Sequence, residues 1–256
     1  MASNDPPILE HLTWTEARDL LALRPVGLLP IGAIEAHGPH LPLNSDVIIA
    51  TGMAKRGGAE LRKRGVTAVV LPPVAYSVSF AGSCFPGTIP VGSVAFTAWL
   101  TELLDYLPTQ GFRAICICNA HLEPAHVDAV RTAIDSSSAE VSMPIVFPDQ
   151  RVEPWAATLG EEFNRGSRHA GMYETSILMA EAPGSIRRTS LEELEPVWID
   201  LPEALRQGAR DFSEAGGTLG YFGDPRAATS EYGNELLDLL GKMICESVLE
   251  VLARRS

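Results

Sequence analysis

The sequence predicts one α/β domain, with a mainly parallel sheet and helices on both of its faces. Apolar segments with strand character alternate with amphipathic helical segments through the first 150 residues, and no internal repeat is present. A chain of 256 residues is long enough to bury a sizeable core. Its 46% of hydrophobic and 20% of charged residues are typical of a soluble globular enzyme.

Capping signals and periodicity predict the first elements. Thr13 is followed three residues later by a glutamate, a capping box that predicts the start of a helix. The apolar run VGLLPIGAI from Val26 predicts a buried strand, and residues 46–65 have the spacing of an amphipathic helix. A second strand is expected in TAVVLPPVAY from Thr67.

Residues 77–92 are rich in Gly, Ser and Pro, which predicts a loop long enough to suspect a function. The later elements are expected as a helix at 93–107, a strand at 113–119, a helix at 124–135 with proline in its first turn, a strand at 141–148, a helix at 173–182 and a closing helix at 235–254.

Charge and hydropathy exclude several classes of partner. A net charge of −12 and a pI near 4.9 leave no basic patch to neutralise phosphates, so no nucleic-acid partner is expected. No apolar segment approaches the ~18–20 residues that span a bilayer, and the acidic first residues, MASNDPPILEH, do not resemble a secretory signal. The four cysteines lack framework spacing and are best interpreted as thiols in a reducing compartment. We therefore expect a cytoplasmic protein without a membrane partner.

Histidines and carboxylates cluster where the predicted strands end or helices begin. Because ligands of parallel sheets bind beyond the carboxyl ends of the strands, these side chains are the candidates for chemistry. The candidates are Glu35 and His37 after the first strand, Asp46 at the start of the next helix, His121 and Glu123 after the third strand, and His169 and Glu174 around the start of a later helix.

Imidazole nitrogens and carboxylate oxygens suit Zn²⁺, Mn²⁺ and Fe²⁺, and no cysteine falls within the clusters. Each cluster alone also has an ordinary interpretation. Asp46 could cap a helix, Glu174 could complement a helix dipole, and a Glu-x-His pair is usually solvated. Their joint occurrence favours a metal site in which the short carboxylate of Asp46 bridges two ions. His40 and His126 are expected beside the ligands or at the surface, and His11 at the surface.

Several motifs together resemble those of the creatininase family, the creatinine amidohydrolases and their relatives. PIGAIEAHGPHLPLNSDVIIA is similar to its N-terminal signature, and NAHLEPAH and HAGMYETS are similar to two later segments. FPGT at residues 85–88 and ATSEYGNEL near the C-terminus also match in type and order. The resemblance covers about residues 10 to 250. It implies a single domain over residues 1–256, a three-layer αβα sandwich, a binuclear metal centre and a homohexamer assembled as a trimer of dimers.

The resemblance also implies roles for the candidate residues. The family's metal ligands fall on Glu35, His37, Asp46 and His121, with a further carboxylate from Glu123 or Glu174. We predict Glu174 as the fifth ligand, and His169 and Glu123 as the catalytic residues. His169 matches the acid/base histidine proposed for the family. Many relatives have Gly-Gly where this chain has Leu122-Glu123, whereas the creatinine-cleaving enzymes carry His-x-Glu here, which favours that branch.

Two departures from the creatinine-cleaving branch concern the substrate. The loop SVSFAGSCFPGT lacks the histidine of that branch, and NRGSRHAG has no tryptophan before His169. Arg165 and Arg168 lie there instead, which suggests a substrate with a carboxylate or phosphate rather than neutral creatinine.

The expected activity is hydrolysis of the C–N bond of a small amide, cyclic or linear, by water activated at two divalent metals. Zinc and manganese are the expected metals, with iron possible. The loop at 77–86 is expected to cover the pocket. A formamide deformylase or a peptide-trimming hydrolase of the same family is the first alternative. A scaffold subunit without metal is the second, although every candidate ligand is intact.

Overall fold

The computed structural model describes residues 5–139 and 143–254 and contains a parallel sheet in this part of the chain. The strands are β1 (Val26–Ile31), β2 (Ala68–Val70), β3 (Ala114–Asn119) and β4 (Ile145–Val146). They lie in the order β2-β1-β3-β4, and every neighbouring pair is parallel. The predicted parallel sheet is therefore confirmed. The predicted strand at 141–148 is shorter, and its first two residues lie outside the described residues.

Nine helices are described in these two ranges, apart from short 3₁₀ turns. They are α1 (Trp14–Leu21), α2 (Ser45–Lys63), α3 (Ser93–Tyr106), α4 (Pro124–Ser136), α5 (Gly160–Asn164), α6 (Met172–Glu181), α7 (Arg188–Glu192), α8 (Leu201–Arg206) and α9 (Ser230–Arg254). The closing helix begins at Ser230, five residues before the predicted start. The short helices α5, α7 and α8 were not predicted, because five or six residues are too few to show a helical period.

The strand side chains alternate between two apolar layers. Leu28 and Cys116 belong to the layer built from α2, α6 and α9. Leu29 and Ile115 belong to the layer built from α3 and α4. The sheet is thus covered on both faces, and the expected three-layer αβα sandwich is confirmed. Cys116 and Cys118 lie buried on one face, as the alternation predicts.

Local signals set the boundaries of several elements. Thr13 caps α1 with the predicted capping box, in which Glu16 returns the hydrogen bond to the Thr13 backbone. Strand β2 ends at Val70, shortly before the pair Pro72-Pro73, because proline cannot donate to the ladder. From there to Gly92 the chain forms no helix and only one isolated bridge, at Val74, so the predicted loop is confirmed.

The order of the strands places a crevice between β1 and β3. From β1 the chain passes through α2 on one face to β2, and from β2 through α3 on the opposite face to β3, on the other side of β1. The connections therefore diverge between β1 and β3, where ligands bind in open parallel sheets. Ile31 and Asn119 are the last paired residues of these two strands, so their carboxyl ends lie side by side.

A smaller apolar cluster covers this end of the sheet. It joins the loop at 77–92 to the segment before α9, and Phe212 N donates to the carbonyl oxygen of Ala81 at 2.8 Å. Phe212 and Phe222 pack edge to face at its centre. Among the described residues, no helix has the length and apolar character needed to cross a membrane.

Candidate metal centre

The two strand ends bring the first candidate residues together. Glu35 and His37 follow β1, and His121 follows β3. Glu35 Oε1 lies 3.2 Å from His121 Nδ1, although the two residues are 86 positions apart in the sequence. All three side chains are buried. The topology thus explains why a Glu-x-His and a His-x-Glu pair form one cluster.

Asp46 lies between the two histidines. Its Oδ1 is 3.2 Å from His37 Nε2, and its Oδ2 is 3.1 Å from His121 Nδ1. The carboxylate is in the first turn of α2 and is almost fully buried. Asp46 Oδ2 has no hydrogen-bond partner among the described residues. Each oxygen of one carboxylate therefore faces a different imidazole.

Helix α6 adds a third carboxylate. Glu174 Oε2 lies 3.5 Å from His37 Nε2 and accepts a hydrogen bond from Ala170 N at 2.6 Å. Ala170 has φ of +51°, in the left-handed region that costs a residue with a side chain about 1–2 kcal/mol. Gly171 follows, and a Cβ there would lie 2.4 Å from the carbonyl oxygen of Phe222. The tight turn before α6 thus aims Glu174 at His37.

Backbone carbonyls fix which nitrogen of each histidine faces the cluster. His37 Nδ1 donates to the Glu35 carbonyl at 3.1 Å, and His121 Nε2 donates to the Val78 carbonyl at 2.8 Å. A carbonyl only accepts, so these nitrogens carry the proton. His37 Nε2 and His121 Nδ1 are left to point at the carboxylates. Such outer hydrogen bonds orient the imidazoles of metal sites.

The cluster has an excess of negative charge. The ion pairs of Glu35, Asp46 and Glu174 within 4.0 Å, among the described residues, involve histidines and no lysine or arginine. Burial lowers the pKa of His37, but Asp46, Glu174 and Glu35 outweigh it and raise that pKa to about 10. Burial raises the pKa of Glu174 to about 8. The protein groups therefore hold extra protons to balance buried carboxylates.

Three sets of these groups could each hold a metal ion, with ligand atoms within 4.8 Å of one another. They are Glu35 with Asp46 and His121, His37 with Asp46 and Glu174, and Glu35 with His37 and His169. The first two sets share only Asp46. Buried carboxylate and imidazole donors with a net negative charge fit divalent cations of the zinc and manganese type.

His169 lies at the edge of the cluster. Its Nε2 donates to the Ala36 carbonyl at 2.8 Å, and its Nδ1 lies 3.7 Å from Glu35 Oε1. The ring packs against those of His37 and Phe212. Burial, aided by repulsion from His37, lowers the pKa of His169 to about 4. The imidazole is therefore neutral near pH 7, with the lone pair of Nδ1 facing the cluster.

Glu123 is set apart from the other carboxylates. It lies at the N-terminus of α4 and accepts hydrogen bonds from the backbone of Phe80 and Ala81, at 3.3 and 3.1 Å. Its nearest contact with the cluster is 3.9 Å, to His121 Nε2, the nitrogen that already donates to a carbonyl. Burial raises its pKa. Glu123 thus anchors the loop at 77–92 and borders the site.

The remaining histidines are divided between the interior and the surface. His40 is buried and hydrogen-bonds Thr175, the residue after Glu174, at 2.9 Å. His126 is buried beside the ring of His121 and hydrogen-bonds Asn119 at 2.9 Å. Both lie beside the cluster, the first of the two expected positions. His11 is exposed, as expected.

Sequence reasoning missed several residues that support the cluster. Ser79 Oγ donates to Glu35 Oε2 at 2.6 Å, and Phe212 packs on His169. Gly32 allows α2 to approach the end of β1, because a Cβ there would lie 2.7 Å from the Asp46 backbone and Cβ. The loop that contains Ser79 was suspected from its composition, whereas nothing in the pattern distinguishes Phe212.

A cavity of about 490 Å³ opens onto the cluster. Its wall includes Glu35, Asp46, His121, Glu123, His169 and Glu174 at one end. Arg168 also lines it, whereas Arg165 is exposed and pairs with Glu161. Ala81 belongs to the wall, so the loop at 77–86 borders the cavity that it was expected to cover.

Comparison with known proteins assigns the family. The sequence model of the creatininase family, described as creatinine amidohydrolase, matches residues 10–248. The chain belongs to the creatininase family. It is therefore a hydrolase of the amidohydrolase type, and the resemblance of its motifs to this family is confirmed.

Individual relatives differ in their activities. The mycofactocin precursor peptide peptidase of Mycobacterium ulcerans (strain Agy99) is 30% identical over 236 residues, which cover 90% of this chain and 87% of the relative. The creatinine amidohydrolase of Pseudomonas putida is 25% identical over 262 residues, covering 94% and 95%. A solved structure described as "Creatininase Mn" has a TM-score of 0.75 at 22% identity and covers 96% of this chain and 98% of its own, which supports the shared fold.

Replacing Gly32 by alanine should weaken metal binding. The added Cβ would meet Asp46 at 2.7 Å and push the start of α2 away from β1. We expect metal affinity to fall by about 10- to 100-fold, the usual effect of disturbing the support of a ligand. Titration of Zn²⁺ or Mn²⁺ by calorimetry measures it. Gly184→Ala is the control, because its Cβ would meet nothing within 4 Å. Equal affinity in both variants would contradict the role of Gly32.

Proposed function

We propose that this member of the creatininase family is a divalent-metal hydrolase that cleaves the C–N bond of an amide. The observation that carries the proposal is the position of Asp46, one oxygen of which faces His37 and the other His121. Two ligand sets that share one carboxylate describe two adjacent cation positions. The proposed ligands are Glu35, His37, Asp46, His121 and Glu174, with zinc or manganese as the metals.

When bound, two such ions would lower the pKa of water and polarise the amide carbonyl. The chain's own residues set the conditions for this chemistry. The backbone carbonyls of Glu35 and Val78 keep the lone pairs of His37 and His121 directed at the cluster. Ser79 holds the second oxygen of Glu35, which leaves Oε1 to the cluster. These contacts preorganise the donors before substrate arrives.

His169 is the proposed proton carrier. Its Nε2 is committed to the Ala36 carbonyl, so Nδ1 accepts a proton from the attacking water as a general base. The imidazolium then gives that proton to the leaving nitrogen. Burial lowers the pKa of His169 to about 4, so the ring is neutral before the reaction and its imidazolium releases the proton readily in the second step. Glu123, with a raised pKa at the border of the cavity, is the second candidate donor.

The substrate we favour is a linear amide. The peptidase relatives share more identity with this chain than the creatinine amidohydrolase does, at 30% against 25%. Arg168 lines the cavity close to His169, a position that suits a charged substrate better than neutral creatinine. A peptide-trimming activity is therefore the first specific candidate, ahead of lactam or formamide hydrolysis.

We also propose that the protein assembles as the homohexamer, a trimer of dimers, that its family resemblance implies, and that it works in the cytoplasm. Large apolar side chains on and near α3 support an assembly: Tyr76 and Trp99 are about half exposed, and Val94 is mostly exposed. Such a surface is typical of an interface between subunits.

Metal removal should abolish hydrolysis, and metal return should restore it. We expect protein dialysed against a chelator to be inactive toward a panel of linear peptides, acyl amino acids and lactams, and active on at least one of them after Mn²⁺ or Zn²⁺ is added. Release of free amine, followed by a fluorogenic amine reagent, measures hydrolysis. Arg165→Gln, on the surface outside the cavity, serves as a preparation control. No activity with either metal would favour the scaffold alternative.

Glu174 and Glu123 should differ in their effects on metal content. Glu174→Gln should lose one of the two ions or bind it at least about tenfold more weakly, because Glu174 belongs to a ligand set. Glu123→Gln should keep both ions and lower kcat, because Glu123 touches the cluster only at 3.9 Å. Elemental analysis of gel-filtered protein, together with steady-state kinetics, separates the two outcomes. The reverse pattern would make Glu123 the ligand and exclude our assignment.

A further inference from the structure

Four arginines line the cavity that opens onto the metal cluster, and their charge is opposite to that of its carboxylates. Arg131, Arg151, Arg168 and Arg206 all line the cavity, in a chain whose net charge is −12. Arg206 is mostly exposed and pairs with Glu203 on α8. Arg131 and Arg151 pair with the carboxylate of Asp149. Arg168 forms no ion pair with a described residue. This local positive charge needs an explanation in so acidic a protein.

Asp149 balances only part of that charge. Arg131 Nη2 lies 2.9 Å from Asp149 Oδ2, and Arg151 Nη2 lies 2.8 Å from the same oxygen. Arg151 Nε also donates to Asp149 Oδ1 at 2.9 Å. Two guanidinium groups thus share the carboxylate of Asp149, which fixes Arg151 in position. Arg151 is mostly buried, so this pair is held rigidly at the cavity wall.

Arg168 has no partner of its own. It forms no hydrogen bond or ion pair with a described residue, and its Nε is buried without a hydrogen-bond partner. Its guanidinium lies 4.8 Å from the centre of the Phe163 ring, a contact that orients the group without neutralising it. Burying a guanidinium without a hydrogen-bond acceptor carries a desolvation penalty. A bound anion would supply the missing acceptor.

We infer that Arg168, supported by Arg151, binds a carboxylate of the substrate. The inference rests on the proposed amide hydrolysis and names its substrate class, an amide or short peptide with a free carboxylate near the scissile bond. A guanidinium presents paired N–H donors that match the two oxygens of a carboxylate. Arg168 and His169 line the same cavity, so a carboxylate bound by Arg168 shares the cavity with the proposed proton carrier.

The rest of the cavity limits the size and character of this substrate. Its volume of about 490 Å³ is within the range of small-molecule sites and accommodates one or two amino-acid residues. Leu201, Leu205 and Phe212 form an apolar part of the wall. The substrate therefore carries an apolar group together with its carboxylate, as a short apolar peptide end or an acylated apolar amino acid does.

Paired substrates test the inference. Acetyl-capped apolar dipeptides with a free carboxylate, and the same dipeptides as C-terminal amides, are assayed with Mn²⁺-loaded enzyme. We expect the free acids to have a KM about 10- to 100-fold lower than the amides, the range given by charge-assisted hydrogen bonds. Arg168→Gln should raise KM for the acids by that factor, with little change in kcat, and leave the amides unaffected. Arg168→Lys should restore part of the difference.

Arg165→Gln is the matched control, because Arg165 lies in the same segment but pairs with Glu161 at the surface. Calorimetric titration of the same acids and amides gives a second readout that does not need turnover. Equal binding of acids and amides, or unchanged values in Arg168→Gln, would overturn the inference while leaving amide hydrolysis intact. Tighter binding of inorganic phosphate than of the acids would also overturn it. Absence of hydrolysis with a preserved preference for acids in calorimetry would instead count against the proposed function alone.

Discussion

The structure depends on the burial of several carboxylates around Asp46 without a lysine or arginine to balance them. An isolated buried carboxylate is too costly to remain ionised. In this cluster the imidazoles of His37 and His121 face its two oxygens, and these contacts hold the pKa of Asp46 well below its usual range despite the opposing effect of burial. Such an arrangement is stable only with added positive charge, from protons or from metal ions. The fold therefore assembles a buried cluster whose residues could hold metal ions.

Local features of the backbone place the side chains of the cluster around Asp46. Gly32 lets α2 approach β1, which brings Asp46 to the strand ends. The left-handed conformation of Ala170 directs its N–H to Glu174. Strain of this kind persists only where the surrounding structure enforces it, and it is concentrated at functional sites. The loop that contains Ser79 contributes a carbonyl, a hydroxyl and two amides to three different site residues.

The sequence predicted the long elements and the polar residues at strand ends, because alternation and capping are local properties. It could not separate Glu123 from Glu174, since both are carboxylates beside a helix start, and only the packing of α6 places Glu174 near His37. Arg165 and Arg168 were equivalent in the sequence, although one faces solvent and the other the cavity. Phe212 and Arg151 come from segments without periodicity, so their place at the site depends on tertiary folding alone.

The number of metal ions bound per chain tests the shared role of Asp46 most directly. Protein loaded with Mn²⁺ or Zn²⁺, freed of excess metal and analysed by mass spectrometry of the elements, should contain two ions per chain. Asp46→Asn should weaken both positions and retain fewer than one, whereas Asp105→Asn should retain two, because Asp105 hydrogen-bonds residues 137–139 and belongs to none of the ligand sets. Two tightly held ions in Asp46→Asn, or a single ion in the unaltered protein, would contradict the account.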